Sequence, residues 1–335
     1  MPEAAVTSDR RKWTFVGIVA ACVAAAVVSV AVGGGSDAAT ALKDGRGAAT
    51  HVPPTGAVVF RTLDRTHPDR YGRIAWASAA DPARPTLGAP ACERVYFAAG
   101  RGLCLSKSGT LGGSVRVRIL GDDLKPRREL KVNGVPSRAR ISPDGRYGSV
   151  TSFVTGHSYA DPGKFSTKST IFEMGTGKKV ADVEDFHVTR DGEDFRSIDF
   201  NFWGVTFAKD GRTFYATLGT GGDTYLVRGD IRDRTVETMR QNAECPSLSP
   251  DGTRVVYKKR VGSPSVWRYH VLDLASGRET PLAETRPIDD QAEWLDDDRV
   301  LYRVGEEIWQ VPADGTGRAQ RYMARSDSPA VVRAN

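Results

Sequence analysis

Cysteine and histidine are scarce in this chain. Its 335 residues hold 4 Cys and 5 His. No Cys-x-x-Cys, His-Glu-x-x-His or Gly-x-Gly-x-x-Gly is written anywhere, which removes the usual signatures of zinc sites, zinc proteases and dinucleotide binding. No Gly-x-Ser-x-Gly occurs either, so the nucleophile elbow of an α/β-hydrolase is absent. The histidines (51, 67, 157, 187 and 270) lie far apart, and His270 alternates with apolar residues on a strand-like run, as a structural histidine does. "DGEDF" at Asp191–Phe195 is too short of ligands for a calcium loop. No metal or cofactor is expected. No block of Lys and Arg exceeds three residues and the net charge is only +6, so a nucleic-acid partner is not expected. Long amphipathic helices are missing after residue 35.

What is present begins with an uncharged run from Trp13 to Ser36, preceded by Arg10, Arg11 and Lys12. As a helix those 24 residues reach about 36 Å, enough for a hydrocarbon layer of ~30 Å. The basic flank places the short tail of residues 1–12 in the cytoplasm. The expectation is a single-pass anchor over residues 13–35, with a cleaved signal peptide and a lipoprotein signal at Cys22 as the open alternatives. Residues 36–56 are small and polar and read as a tether. Everything beyond is expected outside the cytoplasm, at the cell membrane, where disulfides form. Cys92 and Cys104 flank "ERVYFAAGRGL", two short strands about Gly100, so a Cys92–Cys104 bridge is expected, with Cys245 left as a buried thiol.

From Ala57 onward the chain is a succession of short runs rich in β-branched and aromatic residues, punctuated by Gly, Asp and Pro, the pattern of an all-β domain. "SPDG" appears at Ser142–Gly145 and again at Ser249–Gly252, with related turns in "FAKDGRTF" and "WLDDDRV". Pro presets φ, Asp bonds the local backbone and Gly accepts positive φ, so each motif ends one strand and starts the next. The apolar residues before these turns, Ile141, Phe207, Leu248 and Trp294, are spaced by 66, 41 and 46 residues. Intervals in the forties suit one four-stranded propeller blade. The long interval implies enlarged loops or an extra hairpin. Extending the period predicts a propeller over 57–335 with six blades, centred on 57–85, 92–130, 138–188, 203–240, 246–283 and 291–323. "SPAVV" at Ser328–Val332 is expected to supply the innermost strand of the first blade, closing the ring.

"ISPDGRYGSV", "LSPDGTRVVYKKR" and "WLDDDRVLY" resemble the repeats of TolB-like six-bladed β-propellers. "CERVYFAAGRGLCL", "NFWGVTFAKDG", "ECPSLSPDG" and "DDQAEWLDD" are similar to segments of actinobacterial membrane-anchored TolB-like proteins. The resemblance covers about residues 57–332 and implies the fold. It departs from TolB in its anchor segment and in lacking a separate amino-terminal α/β domain, so TolB's lipoprotein partner does not carry over.

In an up-and-down blade, loops leading into innermost strands share a face with loops after second strands. One mouth then gathers Arg138, Asn201, Trp203, Glu244, Asp289, Asp290 and Gln291, with His157, Tyr159 and Lys258 at its rim. Aromatics beside mixed charge suit recognition of a protein or peptide. The expected function is a monomeric, membrane-tethered propeller that binds a cell-envelope protein or peptide, without catalysis. The alternative is an envelope enzyme on a sugar or lactone, using Glu244 with Asp289 or Asp290 as acid and base.

Overall fold

A computed structural model describes residues 52–108, 113–154, 166–262 and 266–334. The expected anchor over 13–35, the tether up to residue 51, His157 and Tyr159 lie outside the described residues. Among the described residues no helix is long and apolar enough to cross a membrane.

The described strands form six sheets, antiparallel but for one pairing at the outer edge of blade 4, arranged as the blades of a β-propeller. In blade 2, the strand Arg94–Ala98 is innermost, followed outward by Arg101–Ser108, Ser114–Leu120 and Pro126–Asn133. Blade 3 begins with Val135–Ile141, blade 4 with Asn201–Phe207, blade 5 with Glu244–Leu248 and blade 6 with Glu293–Trp294. Blade 1 takes its innermost strand, Ser326–Val331, from the carboxyl end and pairs it with Ala57–Thr62. The closure expected from "SPAVV" is therefore present, and it covers the inner edge of Ala57–Thr62.

The repeated turn has the chemistry its residues dictate. In blade 3 Asp144 accepts the backbone N–H of Arg146 at 3.0 Å, and Ser142 Oγ accepts that of Tyr147 at 2.9 Å. Gly145 sits at φ +69°, a region costly to residues with a Cβ. Blade 5 repeats the arrangement through Asp251, Ser249 and Gly252 at φ +77°. Asp210 does the same in blade 4, accepting the N–H groups of Arg212 and Thr213. These aspartates build turns.

The core lies between blades. Trp294, Tyr257, Tyr269 and Tyr302 are fully buried, and Trp294 Nε1 donates to the Ser247 carbonyl at 2.9 Å, joining blade 6 to blade 5. Tyr269 and Tyr302 meet edge to face with centroids 5.2 Å apart, a preferred aromatic geometry. Cys92 and Cys104 are bonded in blade 2, their Cα atoms 5.4 Å apart, and Cys245 is a buried free thiol.

One boundary differs from the sequence reading. Blade 3 ends with Lys179–Asp182, not near residue 188. The extra hairpin, His187–Arg190 with Glu193–Asp194, crosses to blade 4 and extends its outer edge to six strands. His187–Arg190 pairs in parallel with Thr235–Gln241. That pairing covers an outer edge which four strands alone would leave exposed.

Candidate functional site

Each innermost strand starts on one face of the propeller, and three of them bend there. Gly204, Cys245 and Ser328 take φ values of +67°, +50° and +53° in blades 4, 5 and 1. The bends bring blades 4 and 5 close: a Cβ on Gly204 would lie 2.8 Å from the Cys245 Cα. Positive φ is unusual for Cys and Ser, and here it coincides with a break in strand register in all three blades.

Five of the expected residues meet at the mouth. Asp290 is buried and its Oδ1 faces two guanidinium groups, Arg138 at 3.5 Å and Arg94 at 3.9 Å. Burial raises the Asp290 carboxyl, but Arg138 and Arg94 outweigh it and hold the group below the usual carboxylate range. Burial alone would lower the Arg138 guanidinium, yet Asp290 drives it upward. Gln291 donates its side-chain amide to the Pro246 carbonyl at 2.7 Å and to the Gly204 carbonyl at 3.1 Å. Glu244 accepts from Arg260 Nε at 2.7 Å and from Trp267 Nε1 at 3.0 Å. Asp289 is 71% exposed and accepts from Lys258 Nζ at 2.6 Å.

Lys258 stands in the wall rather than at the rim. Only 3% of its side chain is exposed, because it is enclosed by Glu244, Asp289 and the Trp267 ring, 4.8 Å from Nζ. Burial pulls its ammonium down, and the negative groups around it reverse that to a net rise.

Two expected residues serve the scaffold. Asn201 Oδ1 accepts the Thr167 N–H at 2.8 Å and so joins blade 4 to blade 3. Trp203 lays its ring against Gly219, where a Cβ would come within 2.7 Å of it, while part of the residue stays exposed at the mouth.

Arg94, Arg140, Asp327 and Trp267 belong to the site and were not singled out from sequence. Asp327 is buried between Arg61 at 3.0 Å and Arg303 at 3.8 Å; burial raises its carboxyl. Deeper in the channel, Arg140 lies 3.4 Å from Glu293 and 4.6 Å over the Tyr96 ring. The signal was available in "SRAR": two arginines spaced by two on an innermost strand project to one side.

Chemically, the mouth is a lattice of ion pairs. Asp289 and Asp290 are held ionised, which suits charge recognition and not proton donation. Among the described residues no group of three or more His, Cys, Asp and Glu is placed to hold a metal ion.

No protein-family model matches the chain, and no curated protein matches it. Among solved structures, it is similar to TolB from Acinetobacter baumannii with a TM-score of 0.57 and 18% identity, over 83% of this chain and 67% of that one. It is also similar to a chain of a nidogen–laminin complex with a TM-score of 0.56 and 9% identity, over 82% of this chain and 97% of that one. At such identities the likeness is one of fold, a six-bladed β-propeller like those of TolB and nidogen.

Proposed function

We propose that the chain is a binding propeller whose mouth docks a protein or peptide of the cell envelope, and that residues 13–35 tether it to the membrane with the propeller outside the cytoplasm. The observation that carries this reading is Ile198. It is fully exposed on the loop leading into the innermost strand of blade 4. Its loop is held in place, because Asp199 accepts the Gly221 N–H at 2.7 Å. A large apolar side chain presented to solvent on a pinned loop contributes little to the fold, and with the partly exposed Trp203 on the strand that follows it offers apolar contact to a docked partner. The ion pairs of the mouth offer the polar contacts that accompany such an anchor.

The test is photocrosslinking in the native cells from positions 198 and 289, with a control probe at Arg146. Arg146 is exposed in the turn on the opposite face. One dominant protein captured from both mouth positions and not from 146 supports the reading and names the partner. Equal capture from the two faces, or none from the mouth, overturns it.

A further inference from the structure

Below Asp290 the channel narrows to a cavity of about 30 Å³. A single water needs roughly 10–15 Å³, so the space holds a small guest. Its lining carries three guanidinium groups, Arg94, Arg138 and Arg140, against one carboxylate, Asp290. That carboxylate is shared, at 3.9 and 3.5 Å from Arg94 and Arg138. The partner of Arg140, Glu293, is shared as well, with Arg333 at 2.9 Å. The Nε atoms of Arg138 and Arg140 and the Oγ of Ser328 are buried without a protein hydrogen-bond partner. Only 8% of the Arg140 side chain is exposed.

Arginine does not shed its proton in a protein. The excess positive charge in this throat therefore cannot be removed by titration, as it could be with lysine or histidine. Water can satisfy the orphaned N–H groups but adds no negative charge; Asp289 acts on Arg138 and Asp327 on Arg94 from outside the lining, and a buried charge that is only partly balanced is unfavourable. We propose that the throat binds one compact monovalent anion, a chloride ion or the carboxylate of a ligand, between Arg138, Arg140 and the Ser328 hydroxyl. The site is independent of whether a protein docks at the mouth above it.

The test is the chlorine NMR line width of the full chain in non-ionic detergent, titrated with chloride while isethionate holds the ionic strength constant. The expected result is saturable excess broadening that is lost in Arg138→Gln. Ser328→Asn keeps every charge and suits the positive φ at that position, while placing an amide in the cavity. It is expected to weaken chloride binding about tenfold, and it carries the test if near-UV circular dichroism shows that Arg138→Gln fails to fold. Acetate distinguishes the two sources. Displacement of chloride by acetate means that the throat takes a ligand's carboxylate; persistence of the chloride signal means a resident halide. The absence of saturable broadening by chloride and of acetate binding overturns the assignment. So does broadening that is unchanged in both variants.

Discussion

Gln291 reaches from the start of blade 6 to the Pro246 carbonyl of blade 5, with its Nε2 at 2.7 Å, and the same nitrogen lies 3.1 Å from the Gly204 carbonyl of blade 4. One buried amide thus ties three blades at the point where their innermost strands bend.

Replacing Gln291 with leucine keeps the volume and removes both donors. Two carbonyls then stay buried without a partner, at a cost of about 1–3 kcal/mol. Urea unfolding is expected to shift to lower denaturant with an unchanged m-value. An unchanged midpoint would show that the two carbonyl-bearing strands hold the mouth without this bridge.

Asp289 and Asp290 are neighbours in sequence with opposite weight. Asp290→Asn leaves Arg94 and Arg138 facing each other without a carboxylate in a buried setting, and is expected to cost about 3 kcal/mol. Asp289→Asn takes from the buried Lys258 ammonium a carboxylate that is itself mostly in water and leaves Glu244 at 4.0 Å, and is expected to cost less than Asp290→Asn, about 1–2 kcal/mol. The pair is measured by chemical denaturation of both variants side by side. Equal losses would mean that the burial difference between them is irrelevant.

The blade pattern was legible because it is written in local chemistry. Ser142, Asp144 and Gly145 form their turn from their own side chains and backbone, so the residues imply the geometry wherever the chain puts them. The closing strand at Ser326–Val331 was legible for the same reason, as a repeat of the "PSLSP" pattern. The hairpin at His187–Asp194 was not assigned to its blade, because its parallel pairing with Thr235–Gln241 is a contact in space that no local periodicity records. At the mouth, topology alone gathered Arg138, Glu244, Asp290 and Gln291. It missed Arg94 and Arg140, which sit inside strand patterns where an arginine reads as a solvent-facing residue. It also set Lys258 at the rim, since burial of a lysine depends on carboxylates supplied by other strands, here Glu244 and Asp289.

Glu184, on the short 3₁₀ turn Val183–Asp185, sets a pH dependence. Burial pushes its carboxyl up to about 8, although the Ser169 N–H donates to it at 2.9 Å. An unfolded glutamate titrates near pH 4. Below about pH 4 both states hold the proton and the contribution to stability is complete. As pH rises the unfolded chain ionises first, so stability falls until the folded group titrates near pH 8. Water reaches part of the side chain, so the expected effect is about 1–2 kcal/mol and not the full linkage value. Glu184→Gln is expected to match the parent protein at pH 4 and exceed it in stability at pH 8. A constant difference between the two proteins across that range would remove Glu184 as the cause.

Closure of the ring by the carboxyl end gives the largest expected effect. Removing residues 326–335 takes away the innermost strand of blade 1 and exposes the edge of Ala57–Thr62. It also strands Arg61 without Asp327, its partner at 3.0 Å, and removes the backbone bonds that join Val332 to Gly56 and Ala57. In a propeller each blade packs on two others, so an open blade loosens both of its neighbours. Loss of a single cooperative thermal transition is expected for the whole domain. The control removes only residues 334–335, which leaves the strand, the Val332 bonds and the Arg333–Glu293 pair intact, and is expected to melt like the full chain. If the longer truncation also melted like the full chain, blades 2–6 would be stable as an open arc and the closing strand would serve only blade 1.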